Sequence, residues 1–131
     1  MIGLDTNVLV RYLTQDDPVQ SAKATDIIER RLSEGRPGYL SVVVLAETVW
    51  VLDRAYGFTA AEIAAAIERI LQIAVLEVES EQDVFTAMVA LRKGDGEFAD
   101  ALIGALCTTA GCSHTVTFDR KAARLPGFSL V

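Results

Sequence analysis

The sequence predicts an α/β fold: one three-layer α/β/α domain over residues 1–131, built on a central parallel five-stranded sheet. Three observations predict it. Short apolar runs alternate with longer helical segments along the whole chain. The runs are apolar throughout rather than strictly alternating, which is how strands covered on both faces read. Each pair of successive runs is separated by at least one helical stretch, the kind of connection that parallel strands need.

Taken in order, "MIGL" is the first strand. It stops on Asp5-Thr6-Asn7 before a helical turn or two from Val8 to Leu13. Asp, Thr and Asn are all favoured N-caps, because their side-chain oxygens accept the orphan N–H groups of a first turn. Capping accounts for one or two of the three; it does not account for a carboxylate at a strand end unless something positive meets it. Asp17 then caps a helix with Pro18 at its first position and Gly35 as its stop. "GYLSV" is a strand, and "VVLAETVWVLDRAYG" a helix ending at Gly57. Thr59 and Glu62 form a capping box before the Ala-rich helix "TAAEIAAAIERILQI". "VLEV" is the third strand. Ser80 caps a helix that reaches Lys93 and is broken by "GDG". "EFADALIGALCTTAG" is a helix, "HTVTF" a strand, "DRKAARL" a short helix and "FSLV" the last strand.

Composition narrows the function classes. Hydrophobic residues make up 51% of the 131, enough for one good core. No apolar run approaches the roughly 20 residues of a membrane span. A strand starting at Met1 leaves no room for a signal peptide, so a cytoplasmic location is expected. Cys107 and Cys112, five apart around a helix end, are too distant for a disulfide, and no His cluster joins them in a zinc site. His114 is the only histidine, which removes most histidine-based mechanisms. The net charge of −6 argues against a nucleic-acid partner unless the acids concentrate at one site and hold cations there.

The acids do fall in a pattern. In open α/β sheets, ligands bind beyond the carboxyl ends of the strands. Asp5 ends the first strand, and Asp119 follows the fourth. Glu47 is the only charge between Tyr39 and Val51, in a helix apolar nearly all round and so expected to be buried. A salt bridge to Arg54 is the ordinary alternative. Asp100 sits among small and apolar residues in "FADALIGAL", with Glu97 three residues earlier on the same helical face. For Glu97, complementing the helix dipole is a sufficient reason. Four acids gathered at one site would repel unless divalent cations bound there, and oxygen-only donor sets select hard Mg²⁺ or Mn²⁺.

"IGLDTNVLV", the lone Glu47 of "LAETVWVL", "EFADALIGAL" and "TFDRKAARL" resemble, in order and spacing, the four acidic motifs of PIN-domain proteins. In particular they resemble those of the VapC-type endoribonuclease toxins of bacterial toxin–antitoxin pairs. The resemblance spans essentially the whole chain. It implies that Asp5, Glu47, Asp100 and Asp119 are a catalytic, metal-holding quartet, with Glu97 where many relatives carry an auxiliary acid. It makes Thr6 and Asn7 the polar pair after the first acid, and Thr117 the small polar residue near the fourth. It also implies that the first and fourth strands lie side by side, with Asp5 and Asp119 flanking the switch point. Asn7 would then cap the helix or bond a neighbouring carboxylate. The implied activity is hydrolysis of RNA by metal-activated water with one or two Mg²⁺ or Mn²⁺ ions, and the implied partners are an antitoxin and a second copy in a homodimer. Arg11, Arg92, Lys93, Arg120, Lys121 and Arg124 are the bases nearest the motifs and the candidates for RNA phosphates. A metal-dependent phosphatase of a small substrate, and a catalytically silent PIN-like interaction module, are the competing readings.

Overall fold

Side-chain caps decide where four of the six α-helices begin. The structure is a computed structural model and describes residues 1–131. Strand β1 (Ile2–Gly3) gives way at once to helix α1 (Thr6–Thr14), because Asp5 turns the chain and its carboxylate accepts the Thr6 N–H at 2.8 Å. Asp5, rather than Asn7, is therefore the cap. Helix α2 (Pro18–Asp26) starts where Asp17 Oδ1 accepts from the Val19 and Gln20 N–H groups at 3.0 and 2.8 Å. It then widens into a π-helical turn, Ile27–Arg31. The helix stops short of Gly35 because Ser33 and Arg36 exchange backbone hydrogen bonds at 3.1 and 3.0 Å. Gly35 thus belongs to a tight turn of its own.

Strand β2 (Gly38–Leu40) leads into helix α3 (Val42–Arg54), capped by Ser41 and by Glu79, whose Oε1 accepts the Val42 N–H at 2.8 Å. Thr59 and Glu62 form the expected capping box of helix α4 (Ala60–Leu71). After strand β3 (Leu76–Val78) comes helix α5 (Glu81–Lys93). Ser80 precedes α5 in a left-handed conformation, with φ 50°, and makes no capping bond. Gly94, with φ 76°, ends α5 in the left-handed region that glycine adopts without strain. Helix α6 (Phe98–Thr109), strand β4 (Thr115–Thr117), a 3₁₀ turn at Ala122–Arg124 and strand β5 (Phe128–Leu130) complete the chain.

All strand pairs are parallel, as expected, but the expected five-stranded central sheet is not formed. One sheet has the order β1-β2-β3, with Ile2 opposite Gly38 and Gly38 opposite Leu76. The other holds only β4 and β5, with Thr115 opposite Phe128. The strands are too short to close a common ladder: β1 has two residues, because the Asp5 cap starts a helix immediately after it. Asp5 and Asp119 therefore follow strands of different sheets, and β1 is not hydrogen-bonded to β4.

The core is continuous across both sheets. Leu9, Leu40, Leu45, Ile67, Met88 and Phe98 are fully buried within it. Gly38 sits at its tightest point, where a Cβ would come within 2.7 Å of Leu32 and 3.0 Å of Leu76. Gly104 of α6 does the same for the second sheet, since a Cβ there would meet the Phe128 ring at 2.5 Å. No helix is long and apolar enough to cross a membrane. Cys107 and Cys112 are both free thiols.

Candidate functional site

The sequence-predicted acids gather in two cavities. The larger, of about 590 Å³, opens where the loop before α6, the start of α6 and the turn after β4 converge. Glu97, Asp100 and Asp119 line it, together with Asp95, Lys121 and Arg124. Asp119 is oriented by its own loop. Its N–H donates to Thr117 Oγ1 at 3.0 Å, and its Oδ1 accepts from the Lys121 and Ala122 N–H groups at 2.8 and 3.4 Å. Thr117 thus acts on the fourth acid through the backbone. Asp100 is half-buried, and its carboxyl is raised above the usual carboxylate range by that burial and by the charges of Glu97 and Asp119.

The second cavity, of about 330 Å³, is lined by Asp5, Thr6, Asn7, Arg11, Glu47 and Tyr56 among others. Here the acids are engaged in hydrogen bonds. Asp5 caps α1, and the buried Thr6 hydroxyl donates to Glu47 Oε1 across to α3. Asn7 is exposed and lines the same cavity.

Glu47 is exposed, contrary to the expectation of burial. Helix α3 buries only Leu45, Thr48 and Leu52, and turns Val43, Glu47 and Trp50 together to solvent. Val43 and Trp50 are 72% and 61% exposed, so an apolar sequence here does not make a buried helix. Arg54 pairs with Asp53 rather than with Glu47. A further groove, of about 220 Å³, is shared by α3 and the start of α6. Trp50, Phe58 and Phe98 line it, together with the charged Asp53, Arg54 and Glu97.

The structure thus brings Asp5 together with Glu47, and Asp100 together with Asp119 and Glu97. It does not draw three acids into ligating distance of one point. The bases divide as well. Lys121 and Arg124 line the larger acid cavity, and Arg11 the smaller. Arg92 is committed to Glu68 of α4 at 2.6 Å. Lys93 faces a different cavity, beside Asp83 and Thr108, and Arg120 is exposed.

Sequence reasoning missed the groups around Arg11. Asp16 accepts from Arg11, from the Thr14 hydroxyl and from the Tyr56 hydroxyl. The hydroxyl bonds of Tyr56 and Thr14, with the Arg11 charge behind them, hold its carboxyl down at about 2. A signal was present: Asp16 and Asp17 are adjacent acids, and one helix start needs only one cap. Asp95 was also missed, having been read only as part of a helix-breaking "GDG".

A model of the PIN domain family matches residues 2–127, and the chain belongs to that family. The PIN domain is generally a nuclease fold, and its nucleases generally use divalent metals. No characterised protein matches the sequence.

Proposed function

We propose that this PIN-domain chain is a Mg²⁺- or Mn²⁺-dependent endoribonuclease, with Asp5, Glu47, Asp100 and Asp119 as its catalytic carboxylates and Glu97 as an auxiliary. The observation that carries this reading is the crowding at Asp100, where Glu97 and Asp119 press like charges onto a half-buried carboxyl in an open polar cavity. Crowded carboxylates of this kind suit a cation. The donor set is oxygen-only, which fits a hard divalent ion. Asp100 and Asp119 would hold it, with Glu97 lining the same cavity and Asp5 and Glu47 lining the other. A bound divalent ion would supply Lewis-acid polarisation of the phosphate and a lowered pKa for the attacking water.

The chain's own residues supply position. Asp119 is held through Oδ1 by the backbone N–H groups of Lys121 and Ala122, and its Oδ2 takes no part in these bonds. In the other cavity the Thr6 hydroxyl donates to Glu47 and holds it. Lys121 and Arg124 border the acids and offset the repulsion that an incoming phosphate would meet. No side-chain nucleophile is required.

The reading extends to biology. The protein is the toxin of a VapC-type pair, works in the cytoplasm as a homodimer, and is silenced by an antitoxin that places a basic side chain among the acids. Arginine pairs with carboxylates in bidentate geometry, and the exposed Trp50 lines a mostly apolar groove that Glu97 also lines. The deciding experiment incubates purified protein with RNA in Mg²⁺, in Mn²⁺ and in EDTA. Cleavage only with metal, leaving 5′-phosphate and 3′-hydroxyl ends, is expected. Cleavage in EDTA, or 2′,3′-cyclic phosphate products, contradicts the mechanism. Turnover of a phosphate monoester without RNA cleavage selects the phosphatase reading instead.

A further inference from the structure

Arg11 is the only cation lining the Asp5–Glu47 cavity, and it is held in place before any ligand arrives. A guanidinium carries five N–H donors. Nε donates to Gln20 Oε1 at 2.8 Å, and Nη1 donates to Asp16 Oδ2 at 3.0 Å and to the Tyr56 hydroxyl at 2.9 Å. Nη2, with two donors, takes no part in these bonds. The tethers come from three places: the turn after α1, the first part of α2 and the chain just past α3. They are tied to one another, since the Tyr56 hydroxyl donates to Asp16 at 2.6 Å and Thr14 donates to Asp16 at 2.8 Å. An isolated surface ion pair contributes little to stability. Three converging partners do something more specific: they fix the plane of the guanidinium and leave one edge of it unspent.

We propose that Arg11 is the phosphate-binding residue of this cavity, presenting its Nη2 edge to a non-bridging oxygen of a single RNA strand. Arginine suits the task because its fork is rigid and matches phosphate geometry. The tethers remove the rotamer freedom that a free arginine would lose on binding. Asp5 and Glu47 in the same cavity would otherwise repel the backbone of the strand. The proposal rests on the ribonuclease reading, and it names the point at which the strand is gripped.

The test is equilibrium binding of a single-stranded RNA oligonucleotide to the full chain, with Ca²⁺ replacing Mg²⁺ to slow cleavage, across a range of KCl concentrations. Arg11→Gln is expected to weaken binding by about tenfold, as loss of a charge-assisted hydrogen bond implies. It should also lower the slope of log affinity against log salt by about 0.7, the value for one single-strand phosphate contact. Arg30→Gln, which breaks an exposed pair with Asp26, should match the wild type. Arg11→Lys and Tyr56→Phe keep the charge and therefore the slope; both should raise KM, the first by losing the fork and the second by losing a tether. If Arg11 is only a staple between helices, all three variants lower Tm, Arg11→Gln leaves the slope unchanged, and Arg11→Lys and Tyr56→Phe leave KM unchanged, which overturns the proposal. Wild-type protein that binds RNA but does not cleave it with Mg²⁺ or Mn²⁺ contradicts the ribonuclease reading alone, and the slope still decides Arg11. Wild-type protein that binds no RNA overturns both.

Discussion

The two acid cavities differ most in how they treat Asp5 and Glu47 on one side and Asp100 on the other. In the Asp5–Glu47 cavity each acid is occupied: Asp5 caps α1, Glu47 accepts from Thr6, and Arg11 stands beside them. In the Asp100–Asp119 cavity Asp100 meets burial and two like charges, and its carboxyl rises as a result. An acid satisfied by hydrogen bonds contributes position, whereas crowded acids contribute a demand for positive charge. Under the proposed function the Asp5–Glu47 cavity is therefore suited to orienting a strand and the Asp100–Asp119 cavity to holding a cation.

The largest effect should come from the crowded cavity. Asp100→Asn is expected to lower kcat by about 10²–10³-fold or more, the scale for removing one electrostatic stabiliser. The same variant should keep its fold and show an equal or higher Tm in metal-free buffer, because a repelled charge is gone. Loss of Tm without loss of specific activity would make Asp100 structural and erase the contrast. Glu97→Gln should cost less than Asp100→Asn, since Glu97 is exposed and starts a helix. Equal losses would put Glu97 on the same footing.

A smaller effect should come from the satisfied cavity. Thr6→Val removes the hydroxyl that holds Glu47 and should cost roughly tenfold in kcat, with recovery in Thr6→Ser, as expected for loss of an orienting hydrogen bond. Steady-state kinetics on the three proteins check this. A Ser variant no better than Val would show that Thr6 matters only for packing.

A fainter signal is expected from pH. Asp16 titrates at about 2 in the folded protein against an ordinary 3.8, so its hydrogen bonds add stability that is complete above about pH 4. That contribution fades as pH falls from about 4 toward 2. The Tm difference between wild type and Asp16→Asn should be flat above pH 5 and narrow below pH 4. A difference that persists unchanged to pH 2 would mean that Asp16 is not held by Tyr56 and Thr14 as the geometry indicates. Least of all, Trp50→Ala should change monomer stability by less than about 0.5 kcal/mol, as for other exposed positions.

Much of the fold was legible in local chemistry. Asp17-Pro18 and the Thr59–Glu62 box mark helix starts whose hydrogen bonds lie within a few residues, so sequence alone carries them. The division into two sheets was not legible, because it depends on strand lengths that tertiary packing and the Asp5 cap decide together. Burial of Glu47 was misjudged for a related reason. A hydrophobic helix reads as core, yet α3 presents Val43 and Trp50 outward, and no single-chain pattern distinguishes a buried face from an exposed apolar one. The candidate acids were legible because they interrupt apolar stretches. The tethers of Arg11 were not, since Tyr56 lies 45 residues away in sequence.

Under the proposed function the divalent ion binds at the crowded cavity. Mn²⁺ binding measured calorimetrically on wild type, Asp100→Asn and Arg11→Gln tests it most directly. The account predicts that Asp100→Asn weakens Mn²⁺ binding by about tenfold or more, as removal of a charged ligand implies, while Arg11→Gln leaves it within about twofold, since an arginine is no metal ligand. Unchanged Mn²⁺ affinity in Asp100→Asn would contradict the account.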